Sequence, residues 1–500
     1  MDFLPSVIRT TTGFCLDVTS NLLTRGNEHA AEKKLLIGGT PDVSPAISVY
    51  EQANPMLNIS ALIYIVCELR KVANETLHKF QHKYNLTNEG MEDLKKAYFS
   101  QKQLEGKIKE AEGNGNVIEL NLLKVKYYDQ LEDTKRLYKS MNSGITIAEM
   151  ADVNYQFYLL SLPKTSVEVF GDIKANVDRM MPFLIAFGGV QFNVDIAESV
   201  ATQSPDSFFY FVDEDFHAKD ILGVLAELTW GITVSPKQKW ISVVFRGSVT
   251  ADDWIHNLNA NQTDFILPGP DAKTPPMGKV EKGFYNYLFG KNLFQKQTTS
   301  KAESIMAMLY ELFGNEKYKD YQLYVTGHSL GGSLSTLFAF RAAVDSGIPN
   351  KPVINVSFAS PFVGDEEFRK NLRDLERNNS YRHLRISNED DIVPLIPFMT
   401  LPFPNPIIKL FKQTGLNVRL YNKTFWRDFT LKLSYPKPDD PINELQDAIS
   451  QNILLGLSFK VLPNHLCPEY KKRLDVSKNV LSHLNLENLY HNPYFTGSLF

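Results

Sequence analysis

Tyr324-Val-Thr-Gly-His-Ser-Leu-Gly-Gly332 is the stretch from which the fold can be read. Apolar and β-branched residues, Leu323 to Thr326, run into Gly327-His-Ser-Leu-Gly331, and a helix-compatible run follows from Ser333 to Val344. The pattern predicts a strand, a sharp turn and a helix, with Ser329 at the apex. The glycines answer a steric need, because side chains two residues before and after the serine would collide with the adjoining helix and strand. The hydroxyl then opens at a helix N-terminus, where backbone N–H groups and the helix dipole favour developing negative charge. The five-residue pattern alone arises by chance in about one in six chains of this length. Its weight comes from the strand and helix that flank it.

The chain has 500 residues, 43% hydrophobic and 22% charged, as in a globular protein with a sizeable core. A net charge of -4 gives no reason to expect nucleic acid as a partner. Cys15, Cys67 and Cys467 are few and far apart, which argues against a disulfide framework. Met1 to Leu23 lacks a cationic start followed by an apolar stretch, so no secretory leader is expected. The most apolar run, Ile59 to Leu69, has 11 residues and is too short to span a bilayer. The expected location is cytoplasmic, with peripheral contact with a membrane or lipid-droplet surface.

Residues 1 to about 55 show no sustained period and read as loop. From Pro55 to about Phe80, residues Leu62, Ile65, Val66, Leu69 and Val72 fall on one helical face. We read this as a helix packed on the hairpin that follows rather than one lying on a membrane. Residues 89 to 141 carry two apolar stripes separated by Gly113-Asn-Gly-Asn116, the signature of an antiparallel helical hairpin. Residues 146 to 200 read as helix-rich. From Ser207 onward strand-like runs appear (208–212, 222–233, 240–245), then strand and helix alternate as far as Ile386. The expectation is an α/β fold with a mostly parallel central sheet, preceded by a helical N-terminal region. The expected division is a helical extension at 1–145 and an α/β domain at 146–500.

A serine hydroxyl needs a base, and the base needs an acid to fix its tautomer. In this strand–turn–helix context the order along the chain is serine, acid, histidine. Tyr381 to Ile386 reads as a strand, followed by Ser387-Asn-Glu-Asp-Asp-Ile-Val-Pro394. Of Glu389, Asp390 and Asp391, we choose Asp391, where the acidic turn gives way to an apolar run. Three histidines follow it: His465, His483 and His491. Residue chemistry alone does not separate them. The backbone N–H of Leu330 supplies one donor of an oxyanion hole, and Val243-Val-Phe-Arg-Gly-Ser248 is a strand whose end can supply the other.

Residues from about 205 to 495 resemble the class 3 lipases, an α/β-hydrolase family of fungal triacylglycerol lipases and their plant and protist relatives. The resemblance rests on ordered pieces: Val244-Phe-Arg-Gly-Ser248, Asp253-Trp254 through Leu258, Val280-Glu-Lys-Gly-Phe284, the elbow, Ser357-Phe-Ala-Ser-Pro-Phe-Val-Gly364, Asp391-Ile-Val-Pro394 and His491-Asn-Pro-Tyr-Phe495. Glu281 stands where the family usually has histidine, and Ala359 where glycine is common. The resemblance implies Ser329 as nucleophile, Asp391 as acid, His491 as base, and Ser248 and Leu330 at the oxyanion hole. His483 is the reserve base. Trp254 is implied as a lipid contact on a lid. The implied chemistry is hydrolysis of a lipid ester through an acyl-enzyme, with no metal and no cofactor. A triacylglycerol or other acylglycerol is the expected substrate. A phospholipase or galactolipase A1 activity and a catalytically silent scaffold are the alternatives. The apolar run Ile392 to Phe411 reads equally as a wall of an acyl groove and as core.

Overall fold

The computed structural model describes residues 47–212, 230–248, 261–267, 275–290, 299–396, 399–400, 409–422, 429–436 and 462–492. Among the described residues nine strands form the main sheet: β1 (Lys164–Thr165), β2 (Phe208–Val212), β3 (Trp230–Ser235), β4 (Trp240–Phe245), β5 (Gln322–His328), β6 (Val353–Phe358), β7 (Tyr381–Asn388), β8 (Leu416–Leu420) and β9 (Leu431–Ser434). They lie side by side in chain order. The ladder from β4 to β8 is parallel, while β1 to β4 and the β8–β9 pair are antiparallel. A parallel core with helical crossovers and a serine elbow after its second parallel strand is the α/β-hydrolase architecture, as expected.

The helices used below are α1 (Val49–Tyr84), α2 (Asn88–Gly113), α3 (Val117–Met141), α4 (Ile147–Leu160), α5 (Ser166–Ala175), α6 (Val177–Ala186), α7 (Val190–Gln203), α8 (Lys301–Gly314), α9 (Leu330–Val344), α10 (Glu366–Arg377), α11 (Leu462–His465), α12 (Cys467–Val476) and α13 (Leu486–Tyr490). Right-handed crossovers that always step the same way place their helices on one face of a sheet. Here α8, α9 and α10 do share a face. Ile305, Leu309, Leu334, Phe338, Phe368 and Leu372 pack there on Val243, Phe245, Leu323 and Val325.

The opposite face needs other cover, and the two ends of the chain provide it. Val49, Ala53, Met56 and Leu57 of α1 pack with Tyr470, Leu474, Leu489 and Tyr490 over Tyr324, Val356, Leu384 and Ile386. Further along α1, Leu62, Ile65 and Leu69 pack on Val169, Ile173, Met180, Leu184 and Val244. The helix also bonds to the sheet, with Ser60 Oγ 3.0 Å from Thr326 Oγ1.

Residues on both sides of the expected division at 145 share hydrophobic clusters, because α1 packs with the sheet and with later helices. Helix α1 begins six residues before Pro55, because Ser48 and Glu51 form a reciprocal capping box. It is neither a membrane-surface helix nor packed on the hairpin alone. Only its far end, at Leu77 and Phe80, meets the hairpin residues Leu94, Tyr98 and Tyr138. The hairpin itself, α2 and α3, lies where its stripes and its Gly-Asn break place it. Among the described residues, no single helix is long and apolar enough to cross a membrane.

Candidate active site

Ser329 follows β5 and caps α9 with φ 59° and ψ -130°, a conformation rare for residues other than glycine. The steric reason for the glycines is visible. A Cβ on Gly327 would sit 2.3 Å from Gly331 carbonyl atoms, and one on Gly331 would sit 2.1 Å from the Phe245 carbonyl oxygen. These contacts let α9 start directly against β4. The amide of Leu330 is the first of the helix and has no intrahelical partner. Gly247 follows β4 and lies beside the serine, since a Cβ placed there would be 3.0 Å from Ser329 Cβ. Ser248, half-buried, comes next in that loop.

Asp391 is buried past the C-terminal end of β7. Its Oδ1 accepts from the Val393 N–H at 3.0 Å. Its Oδ2 accepts from the Tyr470 hydroxyl at 2.7 Å and lies 2.9 Å from His465 Nδ1. The Tyr470 oxygen in turn accepts from the Asn388 N–H at 3.1 Å. Asp390 lies instead 2.6 Å from Arg473 Nη1, in an ion pair.

His465, which closes the short helix α11, is also buried. Its carbonyl oxygen accepts from His328 Nε2 at 2.6 Å, and the two imidazole centroids are 4.8 Å apart. His328 precedes Ser329, so elbow, imidazole and carboxylate converge on one edge of the sheet. Among the described residues, neither the Ser329 hydroxyl nor His465 Nε2 has a hydrogen-bond partner. Catalytic hydrogen bonds are often loose before substrate arrives.

The histidine expected at this position, His491, is elsewhere. Its side chain is 60% exposed and 4.0 Å from Glu487. The residue before it, Tyr490, places its hydroxyl 2.9 Å from the His383 N–H, near the start of β7. The five residues from His383 to Asn388 span on the order of 17 Å, so His491 lies at the wrong end of the strand. His483 is exposed in the same C-terminal segment. His465, the nearest of the three candidates to Asp391 in sequence, is the one that the fold brings to it.

Glu281, in place of the family's usual histidine, is a buried helix cap. It accepts from the Phe284 N–H at 2.7 Å, and burial raises its pKa. Ala359 has φ 52°, a left-handed conformation in which glycine meets no steric cost. Trp254 and the expected lid lie outside the described residues. Of the apolar run, Val393 and Phe411 are buried core, while 397–398 and 401–408 are not described. Two residues that sequence reasoning missed are Tyr470, on Asp391, and Tyr64, which bonds to the elbow and the oxyanion loop. Neither carries a local signal, since each is a tyrosine on an ordinary helical face.

Comparison with known proteins finds a family match over the segment that carries this site. The family model for lipase (class 3) matches residues 242–401, which include Ser248, Ser329 and Asp391. Phospholipase A1-II 5 of Oryza sativa subsp. indica is 30% identical over 224 residues, 42% of this chain and 46% of that protein. Galactolipase DONGLE, chloroplastic, of Arabidopsis thaliana is 32% identical over 168 residues, 31% of this chain and 33% of that protein. The chain thus spans less than half the length of the curated relatives it matches. Among solved structures, Lip2 lipase from Yarrowia lipolytica is 21% identical, covering 53% of this chain and 81% of that one, with a TM-score of 0.38. A triacylglycerol lipase from Penicillium expansum is 20% identical, covering 43% and 71%, with a TM-score of 0.32.

Proposed function

We propose that this protein hydrolyses carboxylic esters of lipids, with Ser329 as nucleophile, His465 as base and Asp391 as the acid that orients it. The observation that carries the reading is the buried Asp391–His465 pair, 2.9 Å apart, beside the Ser329 elbow. The match of residues 242–401 to the class 3 lipases supports it.

Ser329 attacks the ester carbonyl as His465 Nε2 takes the hydroxyl proton. The Leu330 N–H and Ser248 stabilise the oxyanion. His465 returns the proton to the leaving alcohol, and water then deacylates the serine by the same proton route. Asp391 holds the proton of His465 on Nδ1, which leaves Nε2 free to act as base.

For the substrate, we favour a polar membrane glycerolipid, cleaved as by a phospholipase or galactolipase A1, over the triacylglycerol expected from sequence. The names of the relatives at 30–32% identity support this choice. Labelling by a fluorophosphonate probe tests the chemistry. The native protein should label and Ser329→Ala should not. A folded native protein that stays unlabelled with lipid present would sink the reading in favour of a silent scaffold. A panel of phosphatidylcholine, monogalactosyldiacylglycerol and trioleoylglycerol then tests the substrate. Preference for trioleoylglycerol would return it to the neutral lipids.

A further inference from the structure

We infer that Tyr64, on the N-terminal helix outside the segment that matches the family, is a positioning residue that ties the oxyanion loop to the nucleophile elbow and to the base. The inference rests on the reading of Ser329 as an ester-cleaving nucleophile. The Tyr64 hydroxyl lies 2.9 Å from the Gly247 nitrogen and accepts its N–H. The same oxygen is 3.3 Å from His328 Nδ1. On the other side of that ring, His328 Nε2 is 2.6 Å from the His465 carbonyl oxygen. Tyr64 and His328 are each 2% exposed.

The proton positions in this chain follow from chemistry. A carbonyl oxygen only accepts, so His328 Nε2 carries the hydrogen. Burial, and then the nearby His465, push the His328 pKa well below its usual value, so the ring is neutral and Nδ1 is bare. Tyr64 therefore receives from Gly247 and donates to His328, at Nδ1, 3.3 Å away, in preference to the His328 carbonyl oxygen at 3.5 Å. One directed path results, from the Gly247 N–H through Tyr64 and His328 to the His465 carbonyl.

Each link touches one part of the site. Gly247 adjoins Ser248, His328 adjoins Ser329, and the last bond ends on the backbone of the proposed base. With its N–H spent on Tyr64, Gly247 is not an oxyanion donor. The bond instead fixes the peptide that presents Ser248. Tyr64 is itself well placed: Ser60, one turn earlier, lies 3.0 Å from Thr326, and the Phe187 ring lies 4.5 Å from the tyrosine ring.

Tyr64→Phe removes the hydroxyl and keeps the ring. With a soluble short-chain nitrophenyl ester, kcat is expected to fall about 10- to 100-fold, while KM stays within about twofold. Fluorophosphonate labelling of Ser329 should slow in parallel, and the melting temperature should move by only a few degrees. Wild-type rates in folded Tyr64→Phe would overturn the proposal. So would a loss confined to KM or to stability. NMR on the native protein supplies a readout independent of activity, in which the Gly247 amide should exchange slowly and His328 should carry its proton on Nε2. A fast-exchanging Gly247, or a proton on Nδ1, overturns the proposal whatever the variant does. Inactive native protein with both NMR signatures present would instead defeat the ester-hydrolysis reading and leave the tether standing.

Discussion

Two buried carboxylates flank β7, one beyond each end, and they are built alike. Beyond the C-terminal end, Asp391 receives the Tyr470 hydroxyl at 2.7 Å. Before the N-terminal end, Glu376 receives the Tyr490 hydroxyl at 2.9 Å and a second hydroxyl from Tyr435. The difference lies in the third partner. Asp391 has a histidine beside a strained serine, whereas Glu376 has Arg382 and Arg373 among its neighbours. A buried carboxylate with a tyrosine on it is thus a structural clasp by default. It becomes a candidate for catalysis only at the edge where the parallel strands end and the elbow turns.

The largest expected effect separates the two histidines of the C-terminal segment. His465→Ala should lower kcat by about 10⁴-fold or more, as loss of a triad base does. His491→Ala, at the other end of β7, should stay within twofold of the native protein. Steady-state rates on one ester with both variants settle the matter. The reverse result would return the base to His491 and sink the Asp391–His465 reading.

Next in size is a pH effect at the clasp alone. Burial pushes the Glu376 pKa up to about 7 from an ordinary 4.5, against the pull of its hydroxyl donors and arginines. A carboxyl whose folded pKa is raised holds its proton better in the native state. Its contribution to stability is full below pH 4.5 and is lost as pH rises through 7. The span is about 3 kcal/mol between those limits. Glu376→Gln cannot ionise, so its unfolding free energy should fall less than that of the native protein between pH 5 and 8. Parallel pH profiles for the two proteins in urea titrations would contradict this.

The tyrosines give a smaller contrast. Tyr470→Phe takes a donor from Asp391 and an acceptor from the Asn388 N–H. It should cost about tenfold in kcat along with about 1–3 kcal/mol of stability. Tyr490→Phe should cost a similar amount of stability and leave kcat unchanged. Equal kcat for the two variants would show that Asp391 needs no help in holding its histidine.

The same contrast explains what was legible in the sequence. Gly327, Ser329 and Gly331 could be read because they form one five-residue turn pattern between a visible strand and a visible helix, even though the clash that Gly331 avoids is with the Phe245 carbonyl of another strand. Asp391 could be read because it follows a visible strand. His465 could not, because its 74-residue separation from Asp391 is closed only by tertiary packing of the C-terminal helices. The motif resemblance pointed instead to His491, whose sequence fits and whose location does not. Helix α1 was visible in its period, but not its partner. A 3.6-residue stripe says that a face is buried, not what it is buried against. That is why Tyr64, 183 residues from Gly247, had no signal.

Backbone strain offers the smallest test of the comparison. At the site edge, Ser329 and Ala359 hold φ of 59° and 52°, while near the start of β7 the left-handed residue is Asn379, at 55°. Asparagine tolerates this region and alanine does not, at a cost of about 1–2 kcal/mol. Ala359→Gly would relieve that strain. Against this, glycine gives up about 0.4–1 kcal/mol to the greater freedom of the unfolded chain. The lost methyl, fully buried against β6 and β7, forfeits about 0.8 kcal/mol more. The terms nearly cancel, so Ala359→Gly should lie within about 1 kcal/mol of the native protein in chemical denaturation, where burial alone would predict a clear loss. A loss above about 1 kcal/mol, toward the sum of the entropy and methyl terms, would mean that the positive φ carries no strain here, and that the site edge is no more taut than the clasp at the other end of the strand.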